Sequence, residues 1–529
     1  MAPETTVYTG YLGAYQNDYN GYLAWIQQAL DGHLLFRNLY TTEPHTGVFF
    51  HPLFWGIGAV VAATGVPVMI AWYAVHLLGV GLMVAAIYRL ASLFSDSPAT
   101  RFLALLLATT ASGFGWMGTI AAGTPFLERP IDTWLAEANV FQALVTSFFT
   151  LPVALALLLL SLARSIAYFR GREMRDAVLA GVYALGLAVV HPYDLVTLLA
   201  VLGVWTLLAG PKYYRGMLVV ALLPVPYLVY GFTAMMASPV FSQVGWSMPS
   251  ATPWAHAVGW GLPLLLAFAA FLLPGVRTNN RQLGYLAAWL LTDWILISLP
   301  LPFQRRMIWG VHVGICLLAA MALVEFLKSA TRSIGSQRLR AAVSGLVALA
   351  VVAFCAVGSG HLVRAQLERN RAALFGDYIP TAHLEAMQWL KENRDGAETV
   401  LTTPTLSALL PGRSGMTVFG GHWAQTLDAE GKARFTDGLL RETPPPKKDR
   451  VEQVFERNRV RFVLVGTEGD PRGLVRRRLA TWPILVEVFR NDSVTIWEYS
   501  GYRKSSPTRS WPDGDWQGPP YTKQKHPRR

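Results

Sequence analysis

From Val68 to Val357 the chain is a succession of apolar stretches separated by short charged or proline-bearing connections. A helix needs roughly 20 residues to cross the hydrocarbon core of a bilayer. Inside lipid, backbone N–H and C=O groups must pair within their own segment, which leaves helices or closed barrels. The stretches lack the two-residue alternation of barrel strands, so they read as helices. The spans fall at 68–94, 102–122, 141–168, 177–190, 195–208, 217–236, 257–273, 283–299, 307–327 and 341–357. With 53% hydrophobic and 15% charged residues, the chain is too apolar for a soluble protein of its length.

The formal charge of +12 is not a nucleic-acid signature, because much of it is sorted to one side of the spans. One set of connections carries Arg89, Arg101, Arg164, Arg170, Arg172, Arg175, Lys212, Arg215, Arg277, Arg281, Lys328, Arg332, Arg338 and Arg340. The opposite loops carry only Arg37, Arg129, Arg305 and Arg306. Positive charge collects on the cytoplasmic side of membrane proteins, so the rich set faces inward. Residues 1–67, the loops at 124–140, 237–256 and 300–306, and everything after Gly358 then face outward. About 67 outward residues with no apolar signal ahead of them imply that a first helix is missing upstream. Residues 51–65 are too short to span and read as a helix lying at the outer surface. Cys316 and Cys355 both fall within spans and suggest neither a disulfide nor a metal cluster.

The chain divides into an outer N-terminal segment (1–67), a membrane bundle (68–358), an extracytoplasmic α/β domain (359–500) and a basic tail (501–529) of disordered composition. In the α/β domain, 382–391 and 451–457 read as helices. Strands are expected at 399–402, 416–419, 461–465, 484–489 and 494–499, with Asn491-Asp492 turning the last pair into a hairpin. The fold class is mainly α, a polytopic bundle of about ten or eleven spans carrying a small α/β domain.

Several polar groups stand out against this background. Asn17-Asp18-Tyr19-Asn20-Gly21-Tyr22 opens an amphipathic helix, and Asp18, Tyr22 and Trp25 share one face at i, i+4, i+7 spacing. An aspartate at a helix start caps it and stays charged beside the dipole. A charged carboxylate is also what a general base requires, so capping and catalysis are compatible. Glu43, His45 and His51 follow in the same outer segment. Their spacing does not match a metal site, and Glu43 and His51 are read as substrate-binding or orienting groups, His51-Pro52 being equally a helix start. Glu137 sits at the lip of a span, either as an ordinary helix-start acid or as a second carboxylate for an acceptor or a metal.

His191-Pro192-Tyr193-Asp194 joins two short spans at an outer apex. Either it is a plain turn, or His191, Tyr193 and Asp194 line a cavity below the membrane surface. Arg305 and Arg306 break the outward depletion of positive charge. Snorkelling anchors would explain them, but paired guanidinium groups also grip a phosphate in bidentate fashion. Asp293 lies mid-span and should face the bundle interior. Gly420-Gly421-His422-Trp423 follows a strand, as a glycine-rich turn or as a loop over a membrane site through His422.

An early Asp on an amphipathic outer helix, a later His-Pro, many spans and an outward C-terminal domain together resemble the GT-C glycosyltransferases. That superfamily includes protein O-mannosyltransferases and the lipid A aminoarabinose transferase. The acidic loop at Glu137, the Arg305-Arg306 pair and the stretch at 404–421 add to the likeness, most closely to bacterial glycosyltransferase-like members. The resemblance implies a polyprenyl-phosphate sugar donor and a lipid, glycan or protein acceptor at the outer face of the bacterial inner membrane. It implies inversion, with Asp18 as base and Arg305 or Arg306 holding the leaving phosphate. A divalent metal is left open. The chain departs from the pattern in having Asp18-Tyr19 where members often carry adjacent acids, and it lacks the Trp-Trp-Asp signature of oligosaccharyltransferases. The alternatives are a transporter or flippase of lipid-linked glycans, which would need paired intramembrane charges and internal repeats, and a non-catalytic membrane assembly protein.

Overall fold

The computed structural model describes residues 6–10, 16–117, 140–146, 148–243, 250–251, 253–276, 280–301, 303–396, 398–441 and 446–503. Glu137 and most of the basic tail lie outside them. In chain order the helices are α1 (Gln16–Leu30), α2 (Pro52–Thr64), α3 (Val68–Phe94), α4 (Pro98–Thr110), α5 (Val140–Val145), α6 (Thr150–Gly171), α7 (Met174–Val190), α8 (Pro192–Ala209), α9 (Tyr214–Leu222), α10 (Val225–Ala237), α11 (Pro253–Ala270), α12 (Asn280–Leu296), α13 (Val311–Ala330), α14 (Gln337–Cys355) and α15 (Val357–Arg371). Among the described residues, six helical segments are long and apolar enough to cross a membrane: Val68–Phe94, Thr150–Gly171, Pro192–Ala209, Pro211–Ala237, Gln304–Ala330 and Gln337–Cys355.

Several of the expected spans end or break at other residues than their apolar lengths imply, for local reasons. α4 stops at Thr110 because the chain then turns into backbone contacts. Ser112 N–H donates to the Cys355 carbonyl at 2.7 Å and Phe114 N–H to the Val258 carbonyl at 2.8 Å. A Cβ on Gly113 would sit 2.1 Å from that Val258 oxygen, so only glycine fits there. Opposite it, α11 kinks at Gly261, whose φ of +52° glycine tolerates. The stretch read as one span at 141–168 is divided between α5 and α6. The 217–236 stretch is divided between α9 and α10, where Pro224 and Pro226 cannot supply the ladder's N–H groups. α7 and α8 run longer than their apolar cores and meet at His191 alone. The expected apex tetrapeptide is therefore one hinge residue followed by the first turn of α8, with Pro192 and Asp194 in the favoured places.

The C-terminal domain adds α16 (Thr381–Glu392), α17 (Pro404–Ser414), α18 (Ala429–Leu440), α19 (Lys448–Arg457) and α20 (Leu474–Leu479) around a five-stranded sheet. Its strands are β3 (Thr399–Leu401), β4 (Thr417–Val418), β5 (Val460–Gly466), β6 (Leu485–Arg490) and β7 (Val494–Tyr499), in the order β4-β3-β5-β7-β6. β4, β3 and β5 are parallel, while β7 runs antiparallel to β5 and β6. The Asn491 carboxamide oxygen accepts from Ser493 and Val494 N–H, closing the hairpin as its sequence requires.

The N-terminal segment docks on this domain. β1 (Thr6–Tyr8) pairs antiparallel with β2 (Tyr378–Pro380). Leu39 covers the edge of β4 by accepting from Val418 N–H at 2.9 Å. Tyr40 OH donates to the Ala408 carbonyl at 3.1 Å, and Asp31 pairs with Arg394 at 2.7 Å. α1 is consequently buried on two sides. Tyr19, Leu23 and Ile26 belong to the bundle core, and Ala24 belongs to the core of the sheet domain. A Cβ on Gly58 of α2 would sit 2.5 Å from Ala29 Cβ, so glycine lets α2 press against α1.

Glu43 lies at this seam. Lys432 Nζ donates to both of its carboxylate oxygens at 2.8 Å, and the Thr41 hydroxyl bonds to it as well. Burial pushes the Lys432 ammonium down and Glu43 opposes that, so the pair depends on both members. Removing one partner of a buried pair typically costs about 3 kcal/mol or more. Glu43→Ala is expected to lower the thermal unfolding temperature and to speed hydrogen exchange at Val418 and Leu427. An unchanged exchange pattern would show that the pair does not hold the segment down.

Candidate functional site

Asp18 lies in the first turn of α1, between the bundle and the sheet domain. The helix is fixed there by aromatic packing. Tyr19, fully buried, stacks on Phe148 with centroids 4.2 Å apart and meets Trp72 edge-on at 6.0 Å. Tyr22 packs against Phe54 at 4.8 Å and Trp25 at 5.7 Å, and it bonds with the Thr150 side chain. On the other side, Gly21 lets the 420–426 loop approach, since a Cβ there would lie 3.2 Å from Gln425 Nε2.

Burial pushes the Asp18 carboxyl above the usual carboxylate range. It is opposed, in falling order, by the Arg306 guanidinium, a hydrogen bond from the Trp423 indole and the Arg305 guanidinium. Desolvation can raise a carboxyl by several units and a nearby cation lower it by one to three, roughly. The direction shows that burial wins, leaving a carboxylate more basic than an exposed one. Burial also raises the Tyr22 hydroxyl to about 12, with Asp18 acting in the same direction and Arg306 against it.

Arg305 and Arg306 come from a short 3-10 segment, Gln304–Ile308, ahead of α13. Met307 and Ile308 are fully buried and anchor it, and Thr197 of α8 donates to the Met307 carbonyl at 3.2 Å. Gly310, at φ +91°, makes the left-handed turn that begins α13. Arg306 is shared electrostatically by Asp18, Tyr22 and Tyr193, and Tyr193 in turn senses Tyr22. Tyr193 is held by Phe303, centroids 5.1 Å apart. One acid, two permanent cations and two phenols from three separate stretches of chain thus share one electrostatic neighbourhood.

The remaining residues singled out in the sequence occupy different places. His191 Nδ1 lies 2.9 Å from Asp194 Oδ1, and Asp194 is fully buried with Asp293 acting on the same neighbourhood. Asp293 Oδ2 accepts from the Trp289 indole at 3.1 Å. His51 is buried against Phe54, bonds to the Val189 main chain and is pushed down to about 4 by burial, so it is neutral at neutral pH. His422 is likewise pushed down to about 4 by burial. Its Nδ1 accepts from Ala424 and Gln425 N–H and the ring bonds to the Asn17 main chain, which makes it a splint for the loop beside Asp18. Glu43 is taken up by Lys432 at the seam. Glu137 lies outside the described residues. Among the described residues no three His, Cys, Asp or Glu side chains come together as a metal-binding group.

Trp423 is the site residue that the sequence reading passed over as part of a glycine-rich turn. Its signal was a large aromatic placed after Gly420-Gly421-His422, where packing gives no reason for one.

No protein-family model matches the chain, and no curated protein matches it in sequence. Its fold is shared with a solved structure of a mutant arabinofuranosyltransferase AftD from mycobacteria, at a TM-score of 0.58 and 14% identity. That match takes in 94% of this chain and 40% of the other, so the chain spans well under half of AftD's length. Two structures of ArnT from Cupriavidus metallidurans, in the apo state and bound to undecaprenyl phosphate, overlay at TM-scores of 0.47 and 0.45. Each is 14% identical, over 94% of this chain and 95% of ArnT. The helical bundle with a small C-terminal sheet domain expected from the sequence is thus the observed fold, and it is shared with that arabinofuranosyltransferase structure.

The electrostatics give a sign that can be measured. Infrared difference spectra of Asp18→Asn against the unsubstituted protein should place the Asp18 titration above the ordinary value of about 4. Because Arg306 and the Trp423 indole both favour the charged form, Arg306→Gln and Trp423→Phe should each move it higher still. A downward move in either variant would contradict the arrangement.

Proposed function

We propose that the protein is a membrane glycosyltransferase that moves a sugar from a polyprenyl-phosphate donor to an acceptor hydroxyl on the extracytoplasmic face of the bacterial inner membrane. The observation that carries this reading is that Arg306 and Arg305 act together on Asp18 where the bundle meets the sheet domain. A sugar phosphate needs cations at its phosphate and a base at the incoming hydroxyl, about one sugar apart, and these residue types provide both. The GT-C fold supports the same assignment. So does charge sorting, since the arginine-rich connections belong to the opposite ends of the helices.

In the proposed step the acceptor oxygen attacks the anomeric carbon as Asp18 takes its proton. The new glycosidic C–O bond forms while the bond to the phosphate oxygen breaks, and the electron pair leaves on the phosphate, held by Arg305 and Arg306. A phosphate needs no acid to leave, so one carboxylate suffices. A single displacement inverts the anomeric centre. Tyr22 and Tyr193, both under the influence of Arg306, would offer their hydroxyls to the sugar phosphate held there.

The raised Asp18 sets the pH behaviour. Only the deprotonated form accepts a proton, so kcat/KM should rise with pH through the Asp18 pKa, at a value above that of a free aspartate. In nanodiscs, with a panel of polyprenyl-phosphate sugars, Asp18→Asn should lower kcat by roughly 10²–10⁴-fold with the fold intact. Arg306→Gln should lower kcat/KM and shift the acid limb to higher pH, since it removes a cation that favours the carboxylate. Full turnover by Asp18→Asn would refute the assigned base.

A further inference from the structure

Trp423 is 57% exposed, yet it sits on a loop that is tied down at nearly every residue. The Thr426 hydroxyl accepts from Gly421 and His422 N–H at 3.2 and 3.0 Å and donates to the Tyr40 carbonyl at 2.9 Å. Asn38 Nδ2 donates to the Gln425 carbonyl at 2.7 Å. The indole lies nearly parallel to His422, centroids 6.3 Å apart and 20° between planes, and a Cβ on Gly21, three residues from Asp18 on the same helix, would lie 3.7 Å from His422 Nε2. A large aromatic surface is thus held open, in fixed orientation, beside the proposed base. A mobile lid would show fewer such bonds, and a core tryptophan would be covered.

From this placement we infer that Trp423 is the acceptor platform and that the acceptor is a carbohydrate, seated with one face of its ring on the indole and a hydroxyl directed at Asp18. The inference rests on the transferase reading and names its acceptor class. The C–H groups on one face of a sugar ring carry slight positive charge and suit the negative π-face of an indole. The surroundings disfavour the other two classes of acceptor. A lipid alcohol needs a continuous apolar groove, whereas the loop that carries Trp423 is polar, with His422 beside the indole and Gln425 bonded to His422 and to Asn38. An extended peptide commonly docks by adding a strand to a sheet edge. The edge nearest the base is β4, already covered by Leu39, and the other edge, β6, lies across the sheet.

The test is saturation-transfer NMR on the full chain in nanodiscs, with methyl furanosides and pyranosides as sugar probes, a blocked serine peptide and dodecanol. Ring protons of at least one glycoside should receive saturation. Trp423→Ala should lower that signal about fivefold, and Trp423→Phe, which keeps a π-face but loses the N–H, should stay within about twofold. A glycoside signal indifferent to Trp423→Ala would overturn the inference, as would a Trp423-dependent signal of equal size for the peptide or for dodecanol. Consumption of polyprenyl-phosphate sugars is scored in the same samples. Trp423-dependent glycoside binding without donor consumption upholds the platform and sinks the transferase. Donor consumption with Trp423-independent binding does the reverse.

Discussion

A carboxyl buried beside two guanidinium groups is the constraint on which this structure turns. Asp18 loses hydration because α1 is wedged between a membrane bundle and a sheet domain. Two guanidinium groups and an indole N–H only partly restore what is lost, so the carboxyl stays above its ordinary range. A carboxyl raised by burial beside specific charge partners, in a cleft between two domains, is a candidate functional group. In the proposed step Asp18 would take the proton, with Arg306 and Arg305 in its electrostatic neighbourhood for the departing phosphate.

The compensation comes from distant parts of the chain, which explains why so much of the fold serves to join them. Arg305 and Arg306 depend on buried Met307 and Ile308 and on the Gly310 turn. Trp423 depends on the loop after β4, which is splinted by His422 and by the Tyr40 and Asn38 segment. That segment depends in turn on β1–β2 pairing and on the Glu43–Lys432 ion pair. Each link is modest, but together they hold one domain against the other so that a loop of the sheet reaches the first turn of a juxtamembrane helix.

Much of the architecture was legible in the sequence. Apolar length gave the helices of the bundle, because in lipid the backbone has few alternatives. α3 and β7 fall at the expected residues, and the Asn491 turn closes its hairpin. Helix breaks were harder to read. α4 ends at Thr110 because Gly113 must touch the backbone at Val258, a contact between residues far apart in the chain. α7 and α8 extend past their apolar cores because each gains a polar first turn, with Asp176 opening α7 and Pro192 and Asp194 opening α8. Within the site, Asp18, Arg305 and Arg306 announced themselves through charge in the wrong environment, which a sequence displays. Glu43 looked similar, but its use is decided by Lys432, far along the chain. Trp423 gave the weakest signal, since an exposed aromatic gains meaning only from its neighbour.

The most direct measurement is a cryo-electron microscopy map of the protein in nanodiscs with a polyprenyl phosphate bound. The expected map has the phosphate against Arg305 and Arg306, its chain running into the bundle, and a gap of about one sugar between it and Asp18. Phosphate density on the far side of the membrane, or beyond the reach of a single sugar from Asp18, would contradict the shared site.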